Sequence, residues 1–478
     1  MSINKSVVSG TSWTAVSMGT QVLVQLLRLS ILTRFLSKSD FGLIAIVTLV
    51  LGFTHIFTDL GISVALFSRQ NITKKEYSSL YWISLLSGIA LYIIILLLTP
   101  LISIFYQLEI LNILIPIMGL DLVIATAGRQ FKVFKQKELR FKEIALIEIF
   151  SALLSLILSV VLAFNNLGVY SLVYATIFNS FLSSFLYIIT SLKKHPVSFY
   201  INFNENRSLY KVGAFQTGAQ ILDFISSQMD IIIIGKLMGP AELGVYNLIK
   251  QLLIRPSSLL AQLVQNVGIP VLARIRNDVK AFKRSYLQLL KIVSLIGFPI
   301  YAIIALYAKE ILLILFGKAY VSAALPLQIL SVWGAVVSLL GPASVLVVVT
   351  GKTNLGFNWT IFRVLTIPIF IIVGGSWGIL GISVGQAICV LLYLFLYWFV
   401  FIKRVVDIPF RDYTFSFLPT VLSTGLGLLL AIIVKTIVSK WVHVYIADVL
   451  ALVIFATFFL RFNKRVMIEF YKLFFKKD

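Results

Sequence analysis

The chain has 478 residues, of which 59% are hydrophobic and only 13% charged; 41 Lys and Arg stand against 19 Asp and Glu, a formal charge of +22. A soluble fold of this length buries far less apolar surface, so the composition excludes a soluble protein and predicts an integral membrane one. The single cysteine, Cys389, excludes an internal disulfide, and with three histidines it leaves little for a metal site, so no cofactor is expected.

Apolar runs of roughly 20 residues are long enough to span a bilayer. Fourteen occur, at about 11–34, 41–67, 79–106, 110–130, 144–164, 168–191, 209–237, 243–273, 286–308, 323–350, 354–374, 378–402, 413–434 and 443–461. The first runs from Lys5 past Leu32 without a small-residue cleavage site, which reads as a retained span and not a signal peptide. The fold expected is an all-α polytopic membrane protein with fourteen transmembrane helices.

Lys and Arg in the short loops set the orientation. With the N-terminus in the cytoplasm, the cytoplasmic segments hold 30 of the 41 cations and the opposite loops seven: Arg34, Lys38, Lys236, Lys309, Lys318, Lys435 and Lys440. Both termini are therefore expected in the cytoplasm. The net charge then follows from topology and from anionic membrane lipids, and no nucleic-acid partner is needed. Phe131-Lys132-Val133-Phe134-Lys135-Gln136-Lys137 and the tail from Phe462 interleave aromatics with cations at helical spacing. Each reads as a helix end in the headgroup region, with a partner-docking surface as the alternative.

Two stretches 202 positions apart share one template. Leu32-Thr33-Arg34-Phe35-Leu36-Ser37-Lys38-Ser39-Asp40-Phe41-Gly42 matches Ile234-Gly235-Lys236-Leu237-Met238-Gly239-Pro240-Ala241-Glu242-Leu243-Gly244, and the match resumes at Asp59-Leu60-Gly61 against Asn266-Val267-Gly268. Six spans separate the copies, and an even number preserves direction, so the halves are parallel repeats, a mark of transporters. The expected division is an N-terminal six-helix lobe over 1–192, a cytoplasmic linker over 193–208, a C-terminal six-helix lobe over 209–403, and two further helices with a basic tail over 404–478.

Every connection is too short for a nucleotide-binding or sugar-nucleotide domain, so no enzyme with a soluble active site is expected. Gly351-Lys352-Thr353 resembles the end of a phosphate loop, but Leu346 stands where that motif needs glycine. Asn71-Ile72-Thr73 and Asn358-Trp359-Thr360 fit the glycosylation pattern by coincidence, one falling in a cytoplasmic loop and the other in a span.

The polar content of the spans is more informative. Thr14, Ser17, Gln21, Gln25 and Arg28 follow at three- and four-residue steps and share one helix face; the repeat-equivalent residues of span seven are Gln216, Ala219, Asp223, Ser227 and Asp230. Span eight carries Asn247, Gln251, Arg255, Ser258, Gln262 and Asn266 on one face, with Lys250 beside it and Pro256 able to kink it. Gln220 joins the glutamines of span seven, and His55, Asp59, Asp121, Glu148 and Arg363 complete the set. A charge at mid-span costs about 2.5–3.5 kcal/mol. Arg28, Lys250, Arg255 and Arg363 therefore predict a hydrated, cationic cavity for an anionic headgroup, since guanidinium groups bind oxyanions bidentately. The sugar contacts expected are Gln21, Gln25, Gln216, Gln220, Gln251 and Asn266, and the gating or ion-coupling carboxylates are Asp59, Asp121, Asp223 and Asp230. The alternative is a set of buried ties, Arg28 with Asp230 and Arg255 with Asp223. For His55 the alternative is a packed polar residue, and for Asp59 a helix cap.

Lys5, Gly10, Trp13, the run Leu32 to Leu43, and Asp59-Leu60-Gly61 with Ala65 and Arg69 resemble the opening of the polysaccharide exporters and O-antigen-type flippases of the multidrug/oligosaccharidyl-lipid/polysaccharide superfamily. The colanic-acid and teichuronic-acid type is the most similar. The resemblance implies a MATE-like fold of two six-helix bundles around a central cavity plus two C-terminal helices. It implies a flippase that turns a polyprenyl-diphosphate-linked oligosaccharide across a bacterial cytoplasmic (inner) membrane by alternating access, for exopolysaccharide or lipopolysaccharide biosynthesis. Cavity arginines would take the headgroup, the last two spans would form a groove for the lipid tail, a polysaccharide polymerase would be a further partner, and the chain would act as a monomer. The rival reading is a cation-coupled multidrug exporter of the same superfamily, which calls for carboxylates in the first-half cavity where Arg28 stands.

Overall fold

The computed structural model describes residues 3–58, 73–202, 207–441 and 443–475, and no strand occurs among them. Fourteen long helices follow in chain order: α1 Ile3–Leu32, α2 Lys38–Thr58, α3 Lys74–Tyr106, α4 Leu111–Lys137, α5 Phe141–Phe164 and α6 Tyr170–Leu192; then α7 (207–238), α8 (240–274), α9 Val279–Leu306, α10 Lys318–Thr350, α11 Thr353–Gly375, α12 Gly378–Val405, α13 Phe410–Val438 and α14 Val444–Phe475. Twelve of them are long and apolar enough to cross a bilayer. The exceptions are α7 and α8, which carry Asp223, Asp230, Lys236, Lys250 and Arg255 within the same stretch.

Local chemistry explains the breaks. Ser37 and Asp40 cap α2 reciprocally: the Asp40 carboxylate accepts from the Ser37 backbone N–H at 2.8 Å, and the Ser37 hydroxyl accepts from the Asp40 N–H at 3.3 Å. At the repeat-equivalent turn Gly239 takes φ 78° and ψ −179°, and Pro240 opens α8 at the position where proline costs no hydrogen bond. Thr73 and Glu76 form a second capping box at the start of α3, and Asp278 caps α9. One π-helical turn, Val264–Gly268, interrupts α8 before Pro270.

Chain contacts divide the molecule into two compact units, residues 1–247 with 315–317, and 248–314 with 318–478; the boundary falls inside α8. In the first unit, small residues let helices approach closely. A Cβ on Gly128 of α4 would meet Ser184 of α6 at 2.5 Å, and one on Gly88 of α3 would meet Thr126 of α4 at 2.6 Å. Both copies of the repeat segment belong to this unit, and they touch. A Cβ on Gly42 would fall inside the Pro240 carbonyl, and one on Gly244 inside the Lys38 carbonyl. Gly42 and Gly244 are repeat equivalents, as are Lys38 and Pro240, so this is the reciprocal contact that two-fold-related copies make.

The run Phe131 to Lys137 departs from its sequence reading. Phe131, Val133 and Lys135 are 1%, 5% and 1% exposed. Lys135 Nζ lies 2.7 Å from Glu143, and Phe131 packs with Tyr77 and Tyr81. A carboxylate within reach offsets the cost of burying the lysine, so one face of this end of α4 packs against neighbouring helices instead of lying free on a surface.

In the second unit an aromatic core gathers Tyr286, Trp359, Tyr393, Phe401, Tyr413 and Phe417. Tyr301 donates to the Leu253 carbonyl at 2.7 Å, which ties α9 to α8. The pair α13 and α14 is held internally by Asn463, which donates to Ser423 Oγ at 2.7 Å. Lys435 lies 2.7 Å from Glu310 and 3.0 Å from Asp448, and Tyr307 donates to the Asp448 carbonyl at 2.6 Å. The added hairpin is thereby fastened to the connection after α9.

Candidate functional site

The polar stripe of α1 leads to one carboxylate. Ser17 Oγ donates to Glu148 Oε2 at 2.9 Å, Gln21 Nε2 donates to the same oxygen at 3.0 Å, and Tyr187 OH reaches Oε1 at 3.4 Å. Lys132 Nζ lies 2.6 Å from Glu148 Oε1. Four helices, α1, α4, α5 and α6, converge on this group and line a cavity of about 310 Å³.

Its wall mixes small residues such as Ala125 and Ala152 with many polar ones, Ser151, Asn179, Ser180, Ser183 and Ser184 beside Arg129 and Lys132. Asn179 Oδ1 and Ser151 Oγ are buried without a hydrogen-bond partner among the described residues. Polar atoms in that state are normally satisfied by water or by a ligand, and a space of this size holds either. Two cations against one carboxylate leave the lining with an excess positive charge. Arrangements of this kind accept an anion: the lysine is held ready by Glu148, and an oxyanion can compete for it.

A second polar pair lies between α2 and α4. His55 Nε2 is 3.1 Å from Asp121 Oδ2, and one turn on, Arg129 donates to Thr58 Oγ1 at 2.7 Å. Arg129 also lines the cavity, so the two polar groups are neighbours along α4. Asp121 Oδ1 is buried with no partner among the described residues.

The other predicted residues are placed as follows. Arg28 is half-buried on α1, and among the described residues no hydrogen bond or ion pair reaches its guanidinium. Asp230 is buried and takes a 2.6 Å hydrogen bond from Tyr246 OH and one of 2.9 Å from the Ile231 N–H, so the Arg28–Asp230 tie is not formed. Gln25 is half-buried and Gln220 and Asp223 are exposed in the first unit. In the second unit Lys250 is buried, Gln251, Arg255 and Arg363 are half-buried, and Asn266 is exposed within the π-helical turn. Asp59 and the side chain of Gln216 lie outside the described residues. Of the named glutamines, Gln21 alone is among the cavity's lining residues.

Lys132, Tyr187 and Asn179 were not among the candidates read from sequence. The signal was present in α6, where Asn179, Ser180, Ser183, Ser184 and Tyr187 recur at helical spacing. Lys132 was hidden because it sits in a run that reads as a membrane-surface helix.

A model of the family described as "Polysaccharide biosynthesis protein" matches residues 31–325, more than half of the chain. The chain belongs to this family. Among relatives, it is 26% identical over 442 residues, 92% of this chain and 91% of the other, to an "Uncharacterized membrane protein in cps region" of Klebsiella pneumoniae. It is 26% identical to the "Teichuronic acid biosynthesis protein TuaB" of Bacillus subtilis (strain 168), over 75% of this chain and 74% of that one. To the "Lipopolysaccharide biosynthesis protein WzxC" of Escherichia coli (strain K12) it is 25% identical, over 90% and 89%. A solved structure of lipid II flippase MurJ in an inward closed conformation superposes with a TM-score of 0.74 at 15% identity, covering 95% of this chain and 99% of that one. An inward-facing MATE-family multidrug resistance transporter of the MOP superfamily gives 0.62 at 18% identity, covering 80% and 94%. At such identities the likeness establishes the fold. This member of the polysaccharide biosynthesis family has the MATE-like architecture, with two helices beyond a twelve-helix core.

Proposed function

We propose that this protein flips a polyprenyl-diphosphate-linked oligosaccharide repeat unit from the inner to the outer leaflet of a bacterial cytoplasmic membrane, feeding cell-surface polysaccharide biosynthesis. The observation that carries the reading is Arg28, a half-buried guanidinium inside a span that no described residue pairs. Holding such a group costs several kcal/mol unless water or an anion attends it. Family membership supplies the polysaccharide context, and a curated relative is named "Succinoglycan biosynthesis transport protein ExoT". In this reading Arg28, Lys250, Arg255 and Arg363 take the diphosphate. Gln21, Gln25, Gln216, Gln220, Gln251 and Asn266 contact sugar, and Asp59, Asp121, Asp223 and Asp230 serve gating or ion coupling.

The same reading assigns residues 1–192 and 209–403 to two six-helix lobes that alternate in access, joined by a linker over 193–208. Both termini face the cytoplasm, the chain works as a monomer, and it hands product to a polysaccharide polymerase. The charge bias of the loops, 30 cations against seven, supports the orientation. Glu148 bears against a cation-coupled drug exporter, because its charge is already met by Lys132 at 2.6 Å.

The test is the leaflet distribution of the lipid-linked unit in cells carrying Arg28→Ala or Arg255→Ala at normal protein level. Accumulation on the inner leaflet supports the reading. Normal export by both variants would sink it.

A further inference from the structure

Among the described residues, two crevices are lined almost wholly by hydrocarbon. One, of about 400 Å³, lies between α2, α3 and α7 in the first unit and is walled by Leu49, Phe53, Leu98, Leu101, Phe105 and Phe224 among others. A second, of about 510 Å³, lies between α11 and α12 in the second unit, around Phe370, Trp377 and Ile388. They differ at the mouth. Lys236 of α7 stands at the end of the first, donating to the Phe105 carbonyl at 2.6 Å with its ammonium 5.2 Å from the centre of the Phe105 ring. Neither crevice has a Lys or Arg in its wall, but among the described residues no Lys or Arg hydrogen-bonds to a wall residue of the second as Lys236 does to Phe105 in the first.

The first crevice is built, not incidental. Above it the Gly42–Pro240 and Gly244–Lys38 approaches bring backbones into contact. Below that pinch Gly235 makes room for the Tyr106 ring, since a Cβ there would stand 2.9 Å from it, and Gly52 makes room for Phe224 at 3.0 Å. The helices part beneath the pinch and leave a slot. Its α3 wall runs from Phe105 to Ile95, ten residues, or about 15 Å at 1.5 Å per residue. That is half of the roughly 30 Å hydrocarbon core, the depth of one leaflet.

We propose that this crevice is a binding site for the hydrocarbon chain of a phosphate-bearing lipid, and that Lys236 holds its anionic head at the membrane surface. The ammonium has three donors and spends one on Phe105, so the exposed remainder can face a phosphate. The loop charges put this end of α3 outside, so the occupant is an outer-leaflet lipid. Placing the isoprenoid substrate there after flipping rests on the transport function proposed above, whereas the binding itself does not need turnover.

The crevice between α11 and α12 supplies the internal control. The full chain in nanodiscs of zwitterionic lipid is photolabelled with a diazirine-bearing polyprenyl phosphate, or with a diazirine-bearing phosphatidylcholine, and labelled peptides are mapped by mass spectrometry. One lysine beside an anionic head shifts occupancy about fivefold. The polyprenyl phosphate is therefore expected to favour the first crevice over the second by about that factor, and phosphatidylcholine to show no preference. Lys236→Gln should abolish the preference, and Leu101→Trp should block labelling of the first crevice alone. Equal labelling of both crevices by both probes means bulk lipid only and overturns the proposal, as does an unchanged preference in Lys236→Gln. Flipping measured on the same preparations separates the two ideas: lost preference with intact flipping ends the crevice assignment alone, and intact preference without flipping ends the transport reading alone.

Discussion

Gly42 and Gly244, which hold the same place in the two copies of the repeat, each stand against the backbone of the other copy. Gly42 lies against the Pro240 carbonyl and Gly244 against that of Lys38. Backbone on the far side of each contact cannot rotate away as a side chain can. Any side chain at either position must force α2 and α8 apart.

Gly42→Leu and Gly244→Leu are therefore expected to cost about 1–3 kcal/mol each, as overpacking does, and to lower export sharply even at normal protein level. Thermal unfolding in detergent and polysaccharide export together check this. Wild-type behaviour of both variants would mean that the seam does not close in the working protein.

Glu148 and Lys132 give a second prediction. Lys132→Met leaves the carboxylate near Ser17 and Gln21 without its counter-charge, and Glu148→Gln does the reverse to the lysine. The pair is partly exposed, 37% and 21% by side chain, so each single change should cost about 1–3 kcal/mol and not the full penalty of a buried ion pair. The double variant should be more stable than the sum of the singles implies. A double-mutant cycle on melting temperature reads that coupling, and strict additivity would contradict the contact.

Just past the end of α4, Glu138 gathers Lys194 at 2.7 Å and His195 at 3.0 Å, and the His195 ring stacks on Phe134. Burial pushes the Glu138 carboxyl up, but hydrogen bonds from Lys194 and His195 and their charges outweigh it, so the group is held below its ordinary value of 4.5. A lowered carboxyl stabilises the fold above the ordinary value and loses that contribution as pH falls through the lowered one. Beyond it Ser198 and Asn202 bind Ser78 and Ser79, and the Trp82 indole donates to the Ser198 carbonyl at 3.0 Å. Protease cleavage after Lys193 or Lys194 should thus stay slow above about pH 4.5 and rise below it. Glu138→Gln should make cleavage fast already at neutral pH and remove the acid step. An acid step of the same size in the variant would contradict this account.

Asn463 gives a prediction for the added hairpin. Interhelical hydrogen bonds inside membranes are worth about 0.6–2 kcal/mol. Asn463→Ala should loosen α13 against α14, seen as faster hydrogen exchange near Ser423 and Phe459, with α9 to α12 unchanged. Equal loosening in α9 to α12 would show that the hairpin is not a separate element.

Much of the architecture was legible because a bilayer leaves few options: spans must be long, apolar and helical, and among the described residues each of the fourteen stretches falls on a helix, 59–67 of the second lying outside them. Repeat alignment also paired Gly42 with Gly244, and those residues meet in space. What sequence could not supply was side-chain direction at a helix end. Lys132 and Lys135 look like headgroup lysines, yet each lies against a carboxylate of the following helix, Glu148 and Glu143, a pairing set by how α4 and α5 pack. The Arg28–Asp230 alternative is not formed for a related reason: Asp230 takes hydrogen bonds from the Tyr246 hydroxyl and the Ile231 N–H, donors that helix-face spacing does not reveal.

The central claim is that a cationic interior moves an anionic lipid-linked sugar. Its most direct measurement is reconstitution of the full chain in proteoliposomes with a polyprenyl-diphosphate oligosaccharide, following outer-leaflet appearance by glycosidase accessibility. The account predicts protein-dependent translocation that drops at least about tenfold in Arg28→Ala and recovers in part in Arg28→Lys, since lysine keeps the charge but loses the bidentate geometry. Translocation at the wild-type rate in Arg28→Ala, with the protein equally folded, would contradict it.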